Sequence, residues 1–351
     1  MVTLDYSLDI LASEVALSYR QASKIKVLCL SLWYPLSMSR YFERAMKRNP
    51  NIDLITTGIF TGSWIPWMGG MNLPEKYAKM IDIPLPFRPD VGMVSYDFVK
   101  AQLPSGWIPD LVLCIDANIT WTHRPADGYV AHVGTDPHVL SEWYKHSRGF
   151  SDKFFNMQLC YKEPADSYLP YAYDPTVHYP QEIYLDAVYK GVRDEAGFTH
   201  RYTGDPFKDT DAVLIGMPYE NRVKWVDELR KHGVSVIFEN APVFDEYREL
   251  ANRARIGLNW SSLKDTNARF FETPAFGLAP VMNRTPDAHL FLEEGEDYMG
   301  FDDLQQAVEA VLYLKNNSNE VERLSKNAHA KIQNETYDLR VQQILEECGL
   351  A

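Results

Sequence analysis

The chain alternates between short apolar stretches and segments with helical spacing, and this alternation constrains its fold more than any other feature. "KIKVLCLSLW" at 24–33 is an apolar run rich in β-forming residues, and "SRYFERAMKRN" after it has helical spacing with a polar face. Strands that are apolar on both faces and separated by helices are typical of a parallel sheet covered on both sides. The sequence therefore predicts an α/β fold.

The alternation occurs in two series. "NIDLITTG", "PDLVLCIDAN" and "GYVAHVGT" continue the first series, and a second begins with "DAVLIGM" after a proline-rich stretch at 168–183. From residue 302 onward the pattern is helical only. A chain of 351 residues exceeds the size at which one core stops growing. We therefore predict two facing Rossmann-like domains with C-terminal helices.

The expected organisation has four parts, and the proline-rich stretch is the linker between the two large ones. They are an N-terminal helical segment (1–23), an N-terminal Rossmann-like domain (24–175), a C-terminal Rossmann-like domain (176–335) and a last helix (336–351) that packs back on the N-terminal domain.

Charge and composition exclude several classes of function. A net charge of −13 opposes broad electrostatic capture of nucleic acid or anionic membrane. No apolar run approaches the ~20 residues that span a bilayer, and the acidic residues among the first apolar ones are unlike a signal peptide. We expect a cytoplasmic protein without membrane insertion.

The cysteines support the same compartment. They are widely spread and show no spacing typical of metal ligands, so we expect reduced thiols in the core. The positions are Cys29, Cys114, Cys160 and Cys348.

Neither half contains the glycine pattern of a dinucleotide fold or of a P-loop, so hydride transfer and P-loop phosphoryl chemistry have no motif to support them. The crevice between the carboxyl ends of two facing sheets is the expected ligand site instead. Residues that follow strands are therefore the candidates for chemistry.

In the second half, "NARFFE" at 267–272 opens a helix directly after a strand and a short loop. A helix N-terminus favours anions, and the guanidinium of Arg269 beside it suits a diphosphate. Glu272, one turn later, could accept hydrogen bonds from ribose hydroxyls. The alternative is a surface ion pair between Arg269 and Glu272, worth about 0.3 kcal/mol.

In the first half, "HVGTDPH" follows a strand and places Asp136 and His138 in a turn-forming stretch. Asp136 precedes a proline and is therefore kept out of helical conformation, which would direct its carboxylate into the crevice. A general base for a hydroxyl, or a sugar ligand, is one interpretation, and a simple turn initiator is the other. Asp116, after "DLVLCI", has the same ambiguity.

Several aromatic residues of the first half are candidates for an acceptor lip, since binding residues favour loops on a rigid scaffold. The alternative is that the loop at 60–77 folds over its own aromatic residues. The candidates are Trp33, Tyr34, Trp64 and Trp67.

The stretch from "LNWSSLKDTNARFFETPAFG" to "VLYLKNN", with the later "TYDLRVQQIL", resembles the C-terminal domain of GT-B glycosyltransferases. The branch it is most similar to contains the spore maturation protein CgeB. "DAVLIGMPYENRVKWVDEL" resembles the first strand and helix of that domain, and "VGTDPH", "FNMQ" and "YLPYAYDPTVHYP" resemble the N-terminal half.

The resemblance implies an N-terminal acceptor domain and a C-terminal domain that binds a nucleotide-sugar. It implies that Arg269 meets the diphosphate, that Glu272 meets the ribose and that Asn267 lies beside the phosphates or donor sugar. Arg222 becomes a second phosphate contact, and Gly216 lets the nucleotide approach the end of its strand.

One departure from the family is Lys264, which stands where many retaining members have a glutamate eight residues before the ribose ligand. A cation there would support the departing diphosphate, and retention or inversion stays open. The resemblance implies no metal and no cofactor.

The expected activity is a hexosyl- or pentosyltransferase that moves a sugar from a UDP-sugar to a hydroxyl acceptor, which is a saccharide, a small molecule or modified DNA. Asp136 or His138 would act on the acceptor. Two alternatives are a phage-type transferase that glycosylates hydroxymethylated DNA bases and a GT-B scaffold that binds without catalysis.

Overall fold

The computed structural model describes residues 24–34, 37–60, 81–86, 92–115, 119–180, 208–240, 242 and 244–351. The expected N-terminal helical segment, residues 1–23, lies outside these ranges.

The first half of the chain forms a seven-stranded sheet in which every neighbouring pair is parallel. The strands of this half are β1 (Ile25–Trp33), β2 (Ile52–Phe60), β3 (Ile83–Leu85), β4 (Met93–Val94), β5 (Leu111–Ile115), β6 (Thr120–Trp121), β7 (Tyr129–Gly134), β8 (Lys153–Asn156) and β9 (Ser167–Tyr168). The sheet order is β3-β2-β1-β5-β7-β8-β9, and β4 pairs with β6 separately. The helices are α1 (Ser39–Arg48), α2 (Tyr96–Lys100) and α3 (Ser141–Arg148).

The second half forms a five-stranded sheet that is also parallel throughout. Its strands are β10 (Thr210–Ile215), β11 (Val236–Glu239), β12 (Ala254–Asn259), β13 (Ala279–Asn283) and β14 (Met299–Phe301), in the order β11-β10-β12-β13-β14. The helices are α4 (Glu220–Lys231), α5 (Asp245–Asn252), α6 (Ala268–Ala275), α7 (Leu304–Asn316), α8 (Ser318–Lys331) and α9 (Tyr337–Glu347). The predicted α/β class is confirmed.

The central strands are buried on both faces, as their apolar sequences require. Every residue of β5 and of β13 is buried. One apolar cluster lies within the first half and two lie within the second. A further cluster joins the two halves, from Val27 and Leu113 to Phe271 and Met282.

The chain connects the two sheets twice. The first connection leaves β9 and runs through residues 169–180, and the second follows α8 and leads into α9. The two are bound to each other, because Tyr173 N donates to Glu335 O and Tyr337 N donates to Tyr173 O, both at 3.0 Å. Tyr173 and Thr336 form an isolated parallel β-bridge.

Helix α9 packs against α1 of the first half. Arg48 makes a two-pronged contact with Asp338, at 2.8 Å from Nε and 2.7 Å from Nη2. The ring of Tyr337 stacks on Tyr41 at 5.5 Å and meets Phe42 edge-on at 5.0 Å. The last helix therefore completes the core of the first domain.

All four cysteines are free thiols. Cys29, Cys114 and Cys348 are buried, but Cys160 is exposed, so the expectation that all four lie in the core is wrong for Cys160. In the described ranges, no helix has the length and apolarity that crossing a bilayer requires.

Candidate functional site

A cavity of about 500 Å³ lies between the two domains, at the carboxyl ends of their strands. Asp136 follows β7 on one side, Gly216 follows β10 on the other, and Ser261 follows β12. This is the crevice in which open α/β sheets bind ligands. The first domain contributes Tyr34, Met38, Tyr41, Thr135, Asp136 and Tyr171 to its lining, and the second contributes Gly216, Arg222, Tyr247, Asn267, Arg269 and Glu272 among others.

Helix α6 is anchored by its apolar face and presents its polar face to the cavity. Phe270 and Phe271 are 2% and 0% exposed and fix the helix against the core. Arg269 and Glu272 are three residues apart, so they lie on one side of the helix. Both line the cavity.

Two guanidinium groups meet above Gly216. Gly216 has a φ of +146°, and a Cβ there would lie 2.7 Å from Nη1 of Arg269 and 3.0 Å from Nη1 of Arg222. Only glycine fits this backbone comfortably. The missing side chain is what allows both cations to reach the end of β10.

Arg222 is held by the backbone rather than by a carboxylate. Its Nε donates to Trp260 O at 2.9 Å and its Nη1 to Met217 O at 3.1 Å. Burial and then the charge of Arg269 lower the pKa of Arg222 to about 9. Among the described residues, neither Arg222 nor Arg269 has a carboxylate oxygen within 4 Å, so both guanidiniums lack a direct ion pair.

Two helix N-termini open at the same place. Helix α4 begins after Tyr219 and α6 begins after Asn267, and neither N-cap side chain accepts a hydrogen bond from its helix. Both residues line the cavity. Free N–H groups and the positive end of each helix dipole add to the two guanidiniums, so this part of the cavity is built for an anion.

Asn267 is oriented by Asn259, the last residue of β12. Nδ2 of Asn259 donates to Oδ1 of Asn267 at 3.0 Å, and Nδ2 of Asn267 donates back at 3.3 Å. Nε of Arg269 donates weakly to Oδ1 of Asn259 at 3.4 Å. Asn259 therefore links two candidate binding residues, Asn267 and Arg269.

Glu272 is 5% exposed, so it is not half of a surface ion pair with Arg269, and that alternative is wrong. Its Oε2 accepts a hydrogen bond from the hydroxyl of Tyr247 at 2.8 Å. Burial raises the pKa of Glu272 to about 7, against the opposing effects of Tyr247 and Arg269. A buried carboxylate next to a cavity can accept hydrogen bonds from ligand hydroxyls.

The turn after β7 brings Asp136 to the cavity and leaves His138 out of its lining. The carbonyl of Asp136 accepts from Val139 N at 3.1 Å and Leu140 N at 3.0 Å, so Asp136 is also a turn initiator. The ring of His138 stacks on Tyr161 at 4.6 Å. Of the two acid–base candidates, only Asp136 lines the cavity.

Trp33 was a candidate for the acceptor lip, and the structure contradicts this placement. It is 1% exposed, and its indole donates to Thr57 O at 2.8 Å. Tyr34, the next residue, lines the cavity instead. Trp64, Trp67 and Asp116 lie outside the described residues.

Lys264 lies on the loop between β12 and α6, between two cavity-lining residues, but is not part of the lining itself. It is exposed and adopts a φ of +57°. Lys264 therefore lies at the edge of the site.

Residues 201–346 match a family model described as "Glycosyl transferase-like". The match is confined to the C-terminal part of the chain. The comparison with curated protein sequences gave no match.

Solved structures with the same fold cover almost the whole chain. Anabaena HepE in complex with UDP and glucose is 12% identical, with 93% of this chain and 100% of that chain covered and a TM-score of 0.56. Sucrose-phosphate synthase from Thermosynechococcus elongatus is 9% identical, with 92% and 98% covered and a TM-score of 0.53. A UDP-N-acetylglucosamine 2-epimerase is 15% identical, with 93% and 98% covered and a TM-score of 0.51. At these identities the likeness concerns the fold, and it confirms two Rossmann-like domains in the GT-B arrangement.

In the second half of the chain, sequence reasoning missed Asn259 and Tyr247, and in the linker it missed His178. A polar residue at the end of the apolar run "RIGLN" was a usable signal for Asn259. Tyr247 lies inside an ordinary amphipathic helix, where nothing local distinguishes it.

Proposed function

We propose that the protein is a glycosyltransferase that moves a sugar from a nucleoside-diphosphate sugar, with UDP as the nucleotide, to a hydroxyl acceptor. One observation carries the proposal. Two guanidiniums without carboxylate partners and two open helix N-termini converge on one part of the cavity, one helical turn from a buried carboxylate. A diphosphate followed by a ribose diol matches this order of charges.

In the donor half of the cavity, Arg269, Arg222 and the helix N-termini hold the diphosphate. Negative charge grows on this group as the bond to the sugar breaks, so fixed cations and N–H groups stabilise the transition state more than the ground state. Glu272 accepts hydrogen bonds from the ribose, and Gly216 leaves room for the nucleotide. Asn267 lies beside the phosphates or the donor sugar.

In the acceptor half, Asp136 orients the acceptor hydroxyl or takes its proton. Tyr34 and Tyr171 line the same side and offer aromatic faces to a sugar ring. Enclosure between two domains keeps out water, which would otherwise hydrolyse the donor. Lys264 as a support for the leaving diphosphate, and His138 as a substitute for Asp136, remain predictions.

Three other functions compete. A transferase acting on DNA needs a basic groove, against a net charge of −13. A binding scaffold would keep the same donor contacts. An epimerase would share the fold, but the family match of residues 201–346 favours a transferase.

The first experiment is calorimetry of the full chain with UDP, GDP, ADP and dTDP, with EDTA and again with Mg²⁺. We expect micromolar binding of UDP in EDTA, and a loss of about a hundredfold in Arg269→Ala, since a charge-assisted contact of this kind contributes about 2–3 kcal/mol. Arg253→Ala is the matched control, because Arg253 pairs with Asp209 on the surface. Absence of binding by every nucleotide would overturn the proposal.

A radiolabelled or mass-spectrometric assay with UDP-sugars then separates the classes. Transfer to a hydroxyl acceptor identifies the proposed enzyme, and conversion of UDP-N-acetylglucosamine to its 2-epimer identifies an epimerase. Transfer to hydroxymethylated DNA alone identifies the DNA-modifying alternative. UDP binding with no change in any UDP-sugar identifies the scaffold.

A further inference from the structure

His178 is a buried histidine of the linker, at the back of the candidate donor site. It is 1% exposed and lies among the rings of Tyr41, Tyr247 and Phe276, at centroid distances of 5.1 to 5.5 Å. It does not line the cavity, but its Nε2 lies 3.6 Å from Oε1 of Glu272, which does.

The tautomer of His178 is fixed by the backbone. The N–H of Asp174 donates to Nδ1 of His178 at 2.9 Å, so Nδ1 is unprotonated. Burial lowers the pKa of His178 to about 3, which keeps the ring neutral. Its one proton is therefore on Nε2, the nitrogen that faces Glu272.

Among the residues that the structure describes, that N–H group has no hydrogen-bond partner, although it is completely buried. A distance of 3.6 Å to Oε1 is too long for a hydrogen bond. A buried donor without a partner costs free energy that a short shift of the carboxylate would recover. Nε2 of His178 and Oε1 of Glu272 therefore lie just beyond hydrogen-bond distance of each other.

We propose that His178 is a positioning residue of the donor site, whose Nε2–H closes on Oε1 of Glu272 when a ribose diol engages that carboxylate. The inference rests on the proposed function, since it requires Glu272 to bind ribose hydroxyls. Tyr247 already holds Oε2. With one fixed donor on each oxygen, the carboxylate keeps a lone pair on each for the two hydroxyls of the diol.

Neutrality of His178 matters for this role. An imidazolium would form an ion pair with Glu272 and compete with the ligand, whereas a neutral N–H orients the carboxylate and leaves its charge intact. The ionisable groups that face the pair come from α1, α5, α6, α9 and the linker. They are Tyr41, Arg44, Asp174, Tyr247, Arg248, Arg269 and Tyr337.

The test follows the Nε2-bound proton by NMR in the full chain labelled with ¹⁵N-histidine, and His178→Gln assigns the signal by its absence. We expect a neutral ring with the proton on Nε2 from pH 6 to pH 8, and a downfield shift of that proton when UDP is added. A ring protonated on Nδ1, or a signal that does not move while calorimetry shows bound UDP, would overturn the inference and leave the proposed function standing.

Binding of UDP and of 2′-deoxy-UDP gives a second readout. His178→Phe should weaken UDP binding roughly tenfold and 2′-deoxy-UDP binding much less, while His178→Gln, which keeps a donor, should restore most of the UDP affinity. His329→Gln is the matched control, since His329 contacts the other end of α6 through Pro274 O. Equal losses for both nucleotides in His178→Phe would refute the role. If the parent protein binds no UDP, the proposed function fails with it.

Discussion

The two walls of the cavity differ in charge and in how they are built. The second-domain wall carries Arg222 and Arg269 over a glycine, with a buried glutamate beside them. The first-domain wall has three tyrosines, a threonine and a methionine, with Asp136 as its carboxylate. An ionic wall suits a ligand part whose chemistry is constant, and an aromatic wall suits a neutral, hydroxylated partner. Under the proposed function, the contrast fits nucleotide binding at one wall and acceptor chemistry at the other.

The largest expected effect is on catalysis, and it distinguishes the first-domain wall from the second. Asp136→Asn should lower kcat by about a thousandfold, the typical contribution of a general base, and should leave UDP affinity within about twofold. Steady-state transfer rates and calorimetry measure the two quantities. Glu142→Gln, on the exposed surface of α3, is the control acid. An equal loss of UDP affinity would show that Asp136 takes part in binding the donor.

The second prediction concerns the stability cost of the donor wall. The pKa of Glu272 is about 7 in the folded protein against an ordinary 4.5, so between these values the folded state binds more protons than the unfolded state. The free energy of unfolding therefore falls as pH rises from about 4.5 to 7. Glu272→Gln removes this titration.

We expect Glu272→Gln to gain stability over the parent as pH rises, by about 2 kcal/mol between pH 5.5 and pH 8, while it loses UDP affinity. Urea unfolding across that pH range, without ligand, measures the difference. Parallel curves of unfolding free energy against pH would mean that the pKa of Glu272 is not raised toward 7.

The third prediction tests the glycine beneath the two guanidiniums. Gly216→Ala places a Cβ against Arg269 and Arg222 at a positive φ, which should cost about 1–3 kcal/mol of stability and roughly tenfold in UDP affinity. Gly233→Ala is the matched control, because Gly233 also has a positive φ but a Cβ there meets nothing within 4 Å. An equal effect on UDP binding in both variants would attribute the loss to general strain.

The smallest expected effect lies at the contact between the walls. Gln158, after β8, exchanges hydrogen bonds with the backbone of Thr266, at 3.3 Å to its carbonyl and 3.1 Å from its N–H. Gln158→Ala should cost about 1–2 kcal/mol in stability and raise the KM for the donor a few-fold. Gln305→Ala, on the surface of α7, provides the comparison. A loss confined to kcat would indicate that this contact supports the first-domain wall and not the donor site.

The elements that could be predicted from sequence are those with a pattern of their own. The strands around "KVLCLSLW" and "DAVLIG" and the helix at 268–275 are recognisable because each is long and periodic enough. Strands β8, β9 and β14 have four, two and three residues, too few to show a period.

The same reasoning applies to the site. Arg269 and Glu272 could be paired from sequence because helical spacing places them on one face. His178 and Tyr247 meet Glu272 only after the linker and α5 have packed against α6, and no local pattern encodes that contact. The prediction for Trp33 was wrong because an aromatic residue at the end of a strand points inward or outward according to the packing of its neighbours.

The paired connections at Tyr173 and Thr336 have a mechanical consequence. A single tether would let one domain twist, tilt and slide against the other, whereas two tethers bonded to each other restrict these motions. The two walls of the cavity are thereby held in one register, so the residues on either side keep their alignment without a ligand to bring them together.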